Sequence, residues 1–179
     1  MKEDNILQML NEARLLRNVI GDQKGAIKEC DKILRIEPEN RDAMLVKAGA
    51  LKELGKVEEF TELANGIIKK WPEHWEAYYL LSLFCFMMNE DDKALELMQH
   101  SIKLDENFNN VTSYAHILYL TGSHDYAQYI EKAKSMDRKR AENFMKNIWI
   151  WDVGSIKPSF LQTLKAVGIA RKYKEMKKK

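Results

Sequence analysis

Two stretches of this chain repeat each other in register. One opens at Gly21 and closes at Pro38, and the other opens at Gly55 and closes at Pro72, so glycine and proline each recur after 34 residues. Between glycine and proline runs an amphipathic segment: Ala26, Ile27, Cys30, Ile33, Leu34 and Ile36 in the first copy, Val57, Phe60, Leu63, Ala64, Ile67 and Ile68 in the second. Steps of three and four place these side chains on one face of a helix. A period of this length marks stacked helical hairpins, because a lone hairpin cannot bury its apolar face and needs a neighbour to cover it.

The punctuation has a physical basis. Glycine takes a positive φ without steric cost and so ends a helix. Asp22 follows Gly21 with a side chain that can accept from the free amides of the next helix. Pro38 cannot continue the run and turns Glu37 away from helical geometry. Ahead of Gly21, Asn5 or Asp4 is expected to cap a first helix with Ile6, Leu7, Leu10, Ala13, Leu16 or Arg17, and Ile20 on its apolar face. The second unit adds Met44, Leu45, Ala48, Leu51 and Leu54 before Gly55. A third carries Tyr78, Leu81, Ser82 and Cys85 on its first helix and Ala94, Leu95, Met98 and Ile102 on its second. Asn89 stands at its turn, where asparagine tolerates left-handed backbone, and Glu106 replaces the proline. A fourth shows Tyr114, Ala115, Ile117, Leu118 and Tyr119, an early turn at Gly122, then Tyr126, Ala127, Ile130 and Ala133.

With small residues at Ala26, Ala48, Ser82 and Ala94 and near Ala127, the pattern resembles the tetratricopeptide repeat (TPR) family over about residues 7–136. The resemblance implies an all-α chain, an α-solenoid of about four TPR-like helical hairpins with a C-terminal capping helix. The array spans 1–136, in units of about 7–40, 41–74, 75–108 and 109–136, and 137–179 supplies C-terminal helices, cap and basic tail. Phe60 and His116 stand where the family has small residues, so packing there is expected to differ.

In that family the first helix of each pair lines a concave face that holds a peptide or a helix. The resemblance places Asn11, Leu15, Asn18 and Val19 there from the first unit, and Asp42, Leu45, Gly49 and Lys52 from the second. Tyr79, Leu83, Phe86 and Met87 follow from the third, Ser113, Ile117 and Leu120 from the fourth. TPR cofactors of heat-shock chaperones clamp a C-terminal carboxylate with lysine, asparagine and arginine at this face. The positions here are largely apolar, so that activity is not expected. Leu83, Phe86 and Met87, beside the core stripe of Tyr78, Leu81 and Cys85, make that helix apolar almost all round. This suits a groove for an amphipathic helix or hydrophobic peptide, or a face that the chain's own C-terminal segment covers.

Charge divides the chain. Residues 1–130 hold 15 Lys and Arg against 22 Asp and Glu, a net −7, whereas residues 131–179 hold 14 against 5, a net +9. The basic end, with Lys165, Arg171, Lys172 and Lys174 as candidate anion contacts, opens two alternatives to peptide binding: association with nucleic acid or ribonucleoprotein, and pairing of acidic front with basic back between copies of the chain. Monomer and homodimer both remain open.

Chemistry leaves little trace. Ser123, His124 and Asp125 are sequence neighbours and cannot aim at one another as a catalytic triad must. Asp105 begins a calcium-like loop, but Asn110 occupies the place of the turn glycine and His116 that of the bidentate glutamate. The four histidines show no metal-ligand spacing, and no glycine-rich phosphate loop is present. The expectation is a non-enzymatic protein with no cofactor and no metal, binding a protein or peptide. No window reaches the about 18 to 20 apolar residues of a membrane helix, and no secretory leader pattern opens the sequence, so a cytoplasmic location is expected. Cys30 and Cys85 fall on apolar stripes and are expected to be free thiols.

Overall fold

The computed structural model describes the backbone of residues 2–152 and the side chains of residues 4–146. Its regular elements are α1 (Lys2–Leu15), continuing into a π-helical turn (Leu16–Ile20), α2 (Gln23–Ile36), α3 (Arg41–Glu53), α4 (Val57–Lys70), α5 (Trp75–Met87), α6 (Asp91–Leu104), α7 (Phe108–Leu120), α8 (Tyr126–Met136) and α9 (Arg138–Asp152). The described residues contain no strand. They form an α-solenoid of TPR-like hairpins: α1/α2, α3/α4, α5/α6 and α7/α8. The chain divides into two compact units, Met1–Leu80 and Leu81–Lys179, with the boundary inside α5.

One turn joins the helices of all four hairpins. Gly21, Gly55, Asn89 and Gly122 have φ of 78°, 70°, 63° and 82°. The amide one residue past each of the last three donates back to a carbonyl five residues earlier: Lys56 to Leu51, Glu90 to Cys85 and Ser123 to Leu118, at 2.9–3.0 Å. This closes the helix end by satisfying a carbonyl that would otherwise lack a partner. In the first hairpin the bond spans one residue more, from Asp22 N to Leu16 O at 2.9 Å, and the π-helical turn absorbs the extra residue. The next helix then starts on a side-chain cap where one is available. Asp22 accepts from Gly25 N at 2.9 Å, Asn40 from Ala43 N at 3.0 Å, Asn107 from Asn110 N at 3.0 Å and Asp137 from Arg140 N at 2.9 Å. The calcium-like loop is taken up by this local bonding: Asn110 Nδ2 donates to Asp105 O and Asn107 Nδ2 to Asp105 Oδ2.

Packing follows the solenoid rule that each helix meets its near neighbours. In the first unit Ile6, Leu10 and Ala13 of α1, Cys30 and Ile33 of α2, and Ala43 and Val46 of α3 form one buried cluster. Phe60 is fully buried in α4, so the larger side chain that stands where the family has a small one is accommodated in the core. In the second unit the buried Ser82 hydroxyl donates to Ala94 O at 2.6 Å and ties α5 to α6. Ala141 of α9 is buried with Val111 of α7 and Ala133 of α8, so the layering continues past residue 136. Cys30 and Cys85 are buried free thiols, with burial pushing each up to about 11.

Some boundaries differ from the sequence reading. Helix α1 begins at Lys2, so neither Asp4 nor Asn5 opens it. Leu7, Ile20 and Ile36, expected on buried faces, are 56%, 61% and 41% exposed. Ile20 is turned outward by the π-helical turn, and Ile36 ends α2. The capping helix expected from about residue 158 lies outside the described residues.

The shared turn predicts a graded response at Asn89. Asn89→Gly removes the only non-glycine from the left-handed turns among the described residues and should be neutral or stabilising by up to about 1 kcal/mol, whereas Asn89→Val should cost about 1–2 kcal/mol. Urea unfolding midpoints of the two variants check this order.

Candidate partner-binding surface

In the first unit, the π-helical turn carries Arg17 onto α3. Its Nη2 lies 2.8 Å from Glu53 Oε1, and its guanidinium rests on the backbone at Gly49. A Cβ at Gly49 would fall 2.3 Å from Arg17 Cζ, so the missing side chain is what admits the arginine. Gln23 Nε2 donates to Arg17 O at 3.3 Å, taking up a carbonyl of the widened turn. Arg14 and Asp42 make a second bridge of 2.9 Å, but both are exposed and such pairs add little.

Lys52 lies one turn beyond Gly49 and is half-buried. Burial holds its ammonium below the usual lysine range, with Glu53 pulling it up and the Arg17 charge pushing it further down. Within this cluster Arg17 and Lys52 outnumber Glu53. Among the described residues the Lys52 ammonium has no hydrogen bond or ion pair, and Arg17 Nε is buried without a hydrogen-bond acceptor.

Asn11, Leu15, Asn18 and Val19 are all exposed, Leu15 by 49% and Val19 by 75%. Leu45 is a correction: at 6% exposure it belongs to the core and no partner can touch it. Gly49 is also buried, and serves by admitting Arg17. Tyr79 is half-buried, edge-on to Trp75 at 6.0 Å.

In the second unit Leu83, Phe86, Met87, Ser113 and Leu120 are half-buried, and Met88 is 45% exposed. Ile117, at 2% exposure, is a core residue and a second correction. His116 meets the ring of Phe144 on α9 edge-on at 6.1 Å, and burial pushes its imidazole down to about 4. A cavity of about 220 Å³ lies nearby, lined by Ala115, Tyr119, Tyr126, Ile130 and Met145.

The described basic residues of α8 and α9 are largely occupied. Lys132 bonds Glu106, Lys134 bonds Glu131 at 2.6 Å, Arg138 bonds Glu142 at 3.1 Å, and Arg140 lies over the Phe108 ring while donating to Asn109 Oδ1. Lys165, Arg171, Lys172 and Lys174 lie outside the described residues. Among the described residues no group of three or more His, Cys, Asp or Glu could hold a metal ion, and no helix is long and apolar enough to cross a membrane.

A family model described as Psidin, N-terminal TPR repeats region, matches residues 19–177. The chain belongs to this family. As a TPR repeat protein of the Psidin type it has its match well beyond residue 136, the expected end of the repeat array. Solved structures agree on the fold. A thermophilic TPR protein in Thermus thermophilus matches with a TM-score of 0.71 at 14% identity, over 90% of this chain and 87% of that one. MamA from Desulfovibrio magneticus RS-1, from residue 41 to its end, matches at 0.59 and 22% identity over 75% and 76%. A chain in the structure of Naa15/Naa10 bound to HypK-THB matches at 0.62 and 17% identity, over 93% of this chain but 29% of its own. No curated protein sequence matches.

The buried imidazole sets an acid limit on stability. The folded state keeps His116 neutral down to about 4, while the unfolded chain takes up the proton near the ordinary 6.5. Stability is therefore full above about pH 6.5 and falls as pH drops from there towards 4, by on the order of 3 kcal/mol. His74, also held low by burial, acts in the same sense. His116→Gln should flatten most of this acid limb in thermal unfolding recorded between pH 4 and 7.

Proposed function

We propose that this chain is a non-catalytic protein-interaction scaffold that holds an apolar segment of another protein on the exposed flank of its first helices. The observation that carries this reading is the run of apolar side chains that α1 and its π-helical turn leave to solvent. Leu7, Leu15, Val19 and Ile20 are four of the nine strongly exposed large apolar residues among those described, and all lie within the first 20 residues. Fully burying a side chain of this size contributes about 1.5–3 kcal/mol, so a partner that covers three or four of them has a substantial driving force before any polar contact forms.

The same chemistry recurs in the second unit, where Leu83, Phe86 and Met87 are half-buried beside the exposed Met88. Methionine adapts its shape to a partner more readily than branched side chains do. Membership of a TPR repeat family supports the reading, as does the chain of similar fold in the structure of Naa15/Naa10 bound to HypK-THB. Of the face that the family resemblance implies, the reading uses Asn11, Leu15, Asn18, Val19 and Lys52 in the first unit, without Leu45.

Leu15 and Val19 are exposed, so replacing both by aspartate should leave the thermal midpoint nearly unchanged. Affinity capture with the intact chain, repeated with the Leu15→Asp, Val19→Asp variant, is expected to lose the wild-type partner by more than tenfold. A partner retained at equal yield on the folded variant contradicts this assignment.

A further inference from the structure

Three glycines lie inside helices among the described residues, and two of them have a neighbour that accounts for them. A Cβ at Gly25 would strike the Asp22 carboxylate that caps α2, and one at Gly49 would strike the Arg17 guanidinium. Gly66, in the third turn of α4, has nothing within 4 Å of the place a Cβ would take. Glycine is less favourable than alanine in a helix interior, so close approach to the backbone is the ordinary reason for one, and no described residue makes that approach. Gly66 stands on the wall of a cleft of about 500 Å³ that belongs wholly to the first unit. Met44 of α3, Leu63 of α4 and Trp71 at the end of α4 are half-buried and give it an apolar lining. From Glu59 to Trp71 the cleft follows α4 for about 18 Å at 1.5 Å per residue, room for about three turns of a second helix. The bare backbone at Gly66 lets that helix come near, since the side chains at a crossing set the distance between axes.

The charges along the cleft decide what kind of helix. Its lysines are committed: Lys47 bonds Asp31 at 2.6 Å, and Lys70 bonds Glu39 while lying over the Trp71 ring. Its carboxylates are open. Glu59 meets Lys56 in an exposed pair of the kind that holds weakly, and Glu62 makes no ion pair among the described residues. Glu58, one turn before Glu62 on the same helix, adds like-charge repulsion. We propose that this cleft is a second docking surface, separate from the α1 flank, and that it takes a basic amphipathic helix of another protein. Apolar side chains of that helix lie on Met44, Leu63 and Trp71, its backbone passes close to Gly66, and a lysine or arginine reaches Glu62 and Glu59. A cation there relieves the repulsion among the carboxylates and fixes the direction of the incoming helix. Because α4 is the second helix of its pair, this is not the first-helix face to which the family resemblance assigns a ligand.

Displayed peptides of about 16 residues, with Leu and Ala fixed at helical spacing and the polar positions varied, are selected on the full-length chain and titrated by fluorescence anisotropy. The expected binders are rich in Lys or Arg. Gly66→Gln places a better helix former on the cleft wall, so it should raise the thermal midpoint while weakening binding more than about tenfold, a pairing that a merely structural glycine does not give. Glu62→Gln should weaken binding about threefold, less so as salt is raised, and Glu62→Lys should turn selection towards acidic peptides. A lowered midpoint in Gly66→Gln means that the fold itself needs the glycine, and overturns the proposal. So does a library without binders. Binders that ignore Gly66→Gln but are lost on the Leu15→Asp, Val19→Asp variant belong to the α1 flank; they overturn the cleft and leave the scaffold reading intact. Binders that need Gly66 but ignore Glu62→Lys overturn the basic selectivity. Displacement of the selected peptides by a synthetic peptide of residues 157–179 at equal affinity, or self-association of the intact chain that Gly66→Gln abolishes in sedimentation, overturns the assignment to another protein in favour of this chain's own C-terminal segment or a second copy.

Discussion

Alanine, serine and glycine at the helix crossings set how near successive helices can come. Ala13, Ala26, Ala43, Ala48, Ala77, Ala94, Ala133 and Ala141 have no exposed surface, and Ser82 joins them with its hydroxyl turned onto a neighbouring carbonyl. Small side chains let helix axes approach to the short end of the about 8–10 Å range and let ridges interlock. Given that approach, a left-handed residue at each turn suffices to reverse the chain, and within each unit a hairpin covers the apolar face of the one before. The flank that faces no neighbour is then the surface left for other molecules.

Much of this architecture was legible because its causes are local. Gly21, Gly55 and Asn89 were readable as left-handed turns, Asp22 as a cap and Pro38 as a break, since each depends on its own backbone and a few neighbours. The buried stripes of α2, α4 and α6 were readable because each of these helices turns one narrow face to its partner. Leu45 and Ile117, which the family resemblance puts on the open face, are buried here. A first helix touches its hairpin partner and also the first helices beside it, so positions that look solvent-facing in a two-helix frame are covered by a third element. The Arg17 contact was missed altogether. Its one signal was Gly49, a glycine inside a helix, where it costs about 1 kcal/mol relative to alanine and so implies that something comes close. What comes close depends on the π-helical turn, and no pattern in the sequence announces that turn.

The charge asymmetry that suggested a nucleic-acid surface loses force within the described residues, where Lys132, Lys134 and Arg138 each meet a carboxylate and Arg140 covers a ring. A phosphate-binding face needs cations with spare capacity. In the first unit Arg17 is likewise committed, to Glu53 and the backbone at Gly49, while Lys52 makes no ion pair among the described residues. Repeat scaffolds share a framework and differ in a handful of such groups, so specificity has to be sought in polar atoms left open beside apolar ones.

The most direct test is the methyl spectrum of the intact chain, labelled at Leu, Val and Ile, as its captured partner is added. Leu7, Leu15, Val19 and Ile20 are expected to shift or broaden in step with binding while Ile33 and Ile67, buried on the second helices, hold still. Perturbation confined to methyls of α4, α8 or α9, with the α1 set unmoved by a saturating partner, would contradict a binding face on the first helices.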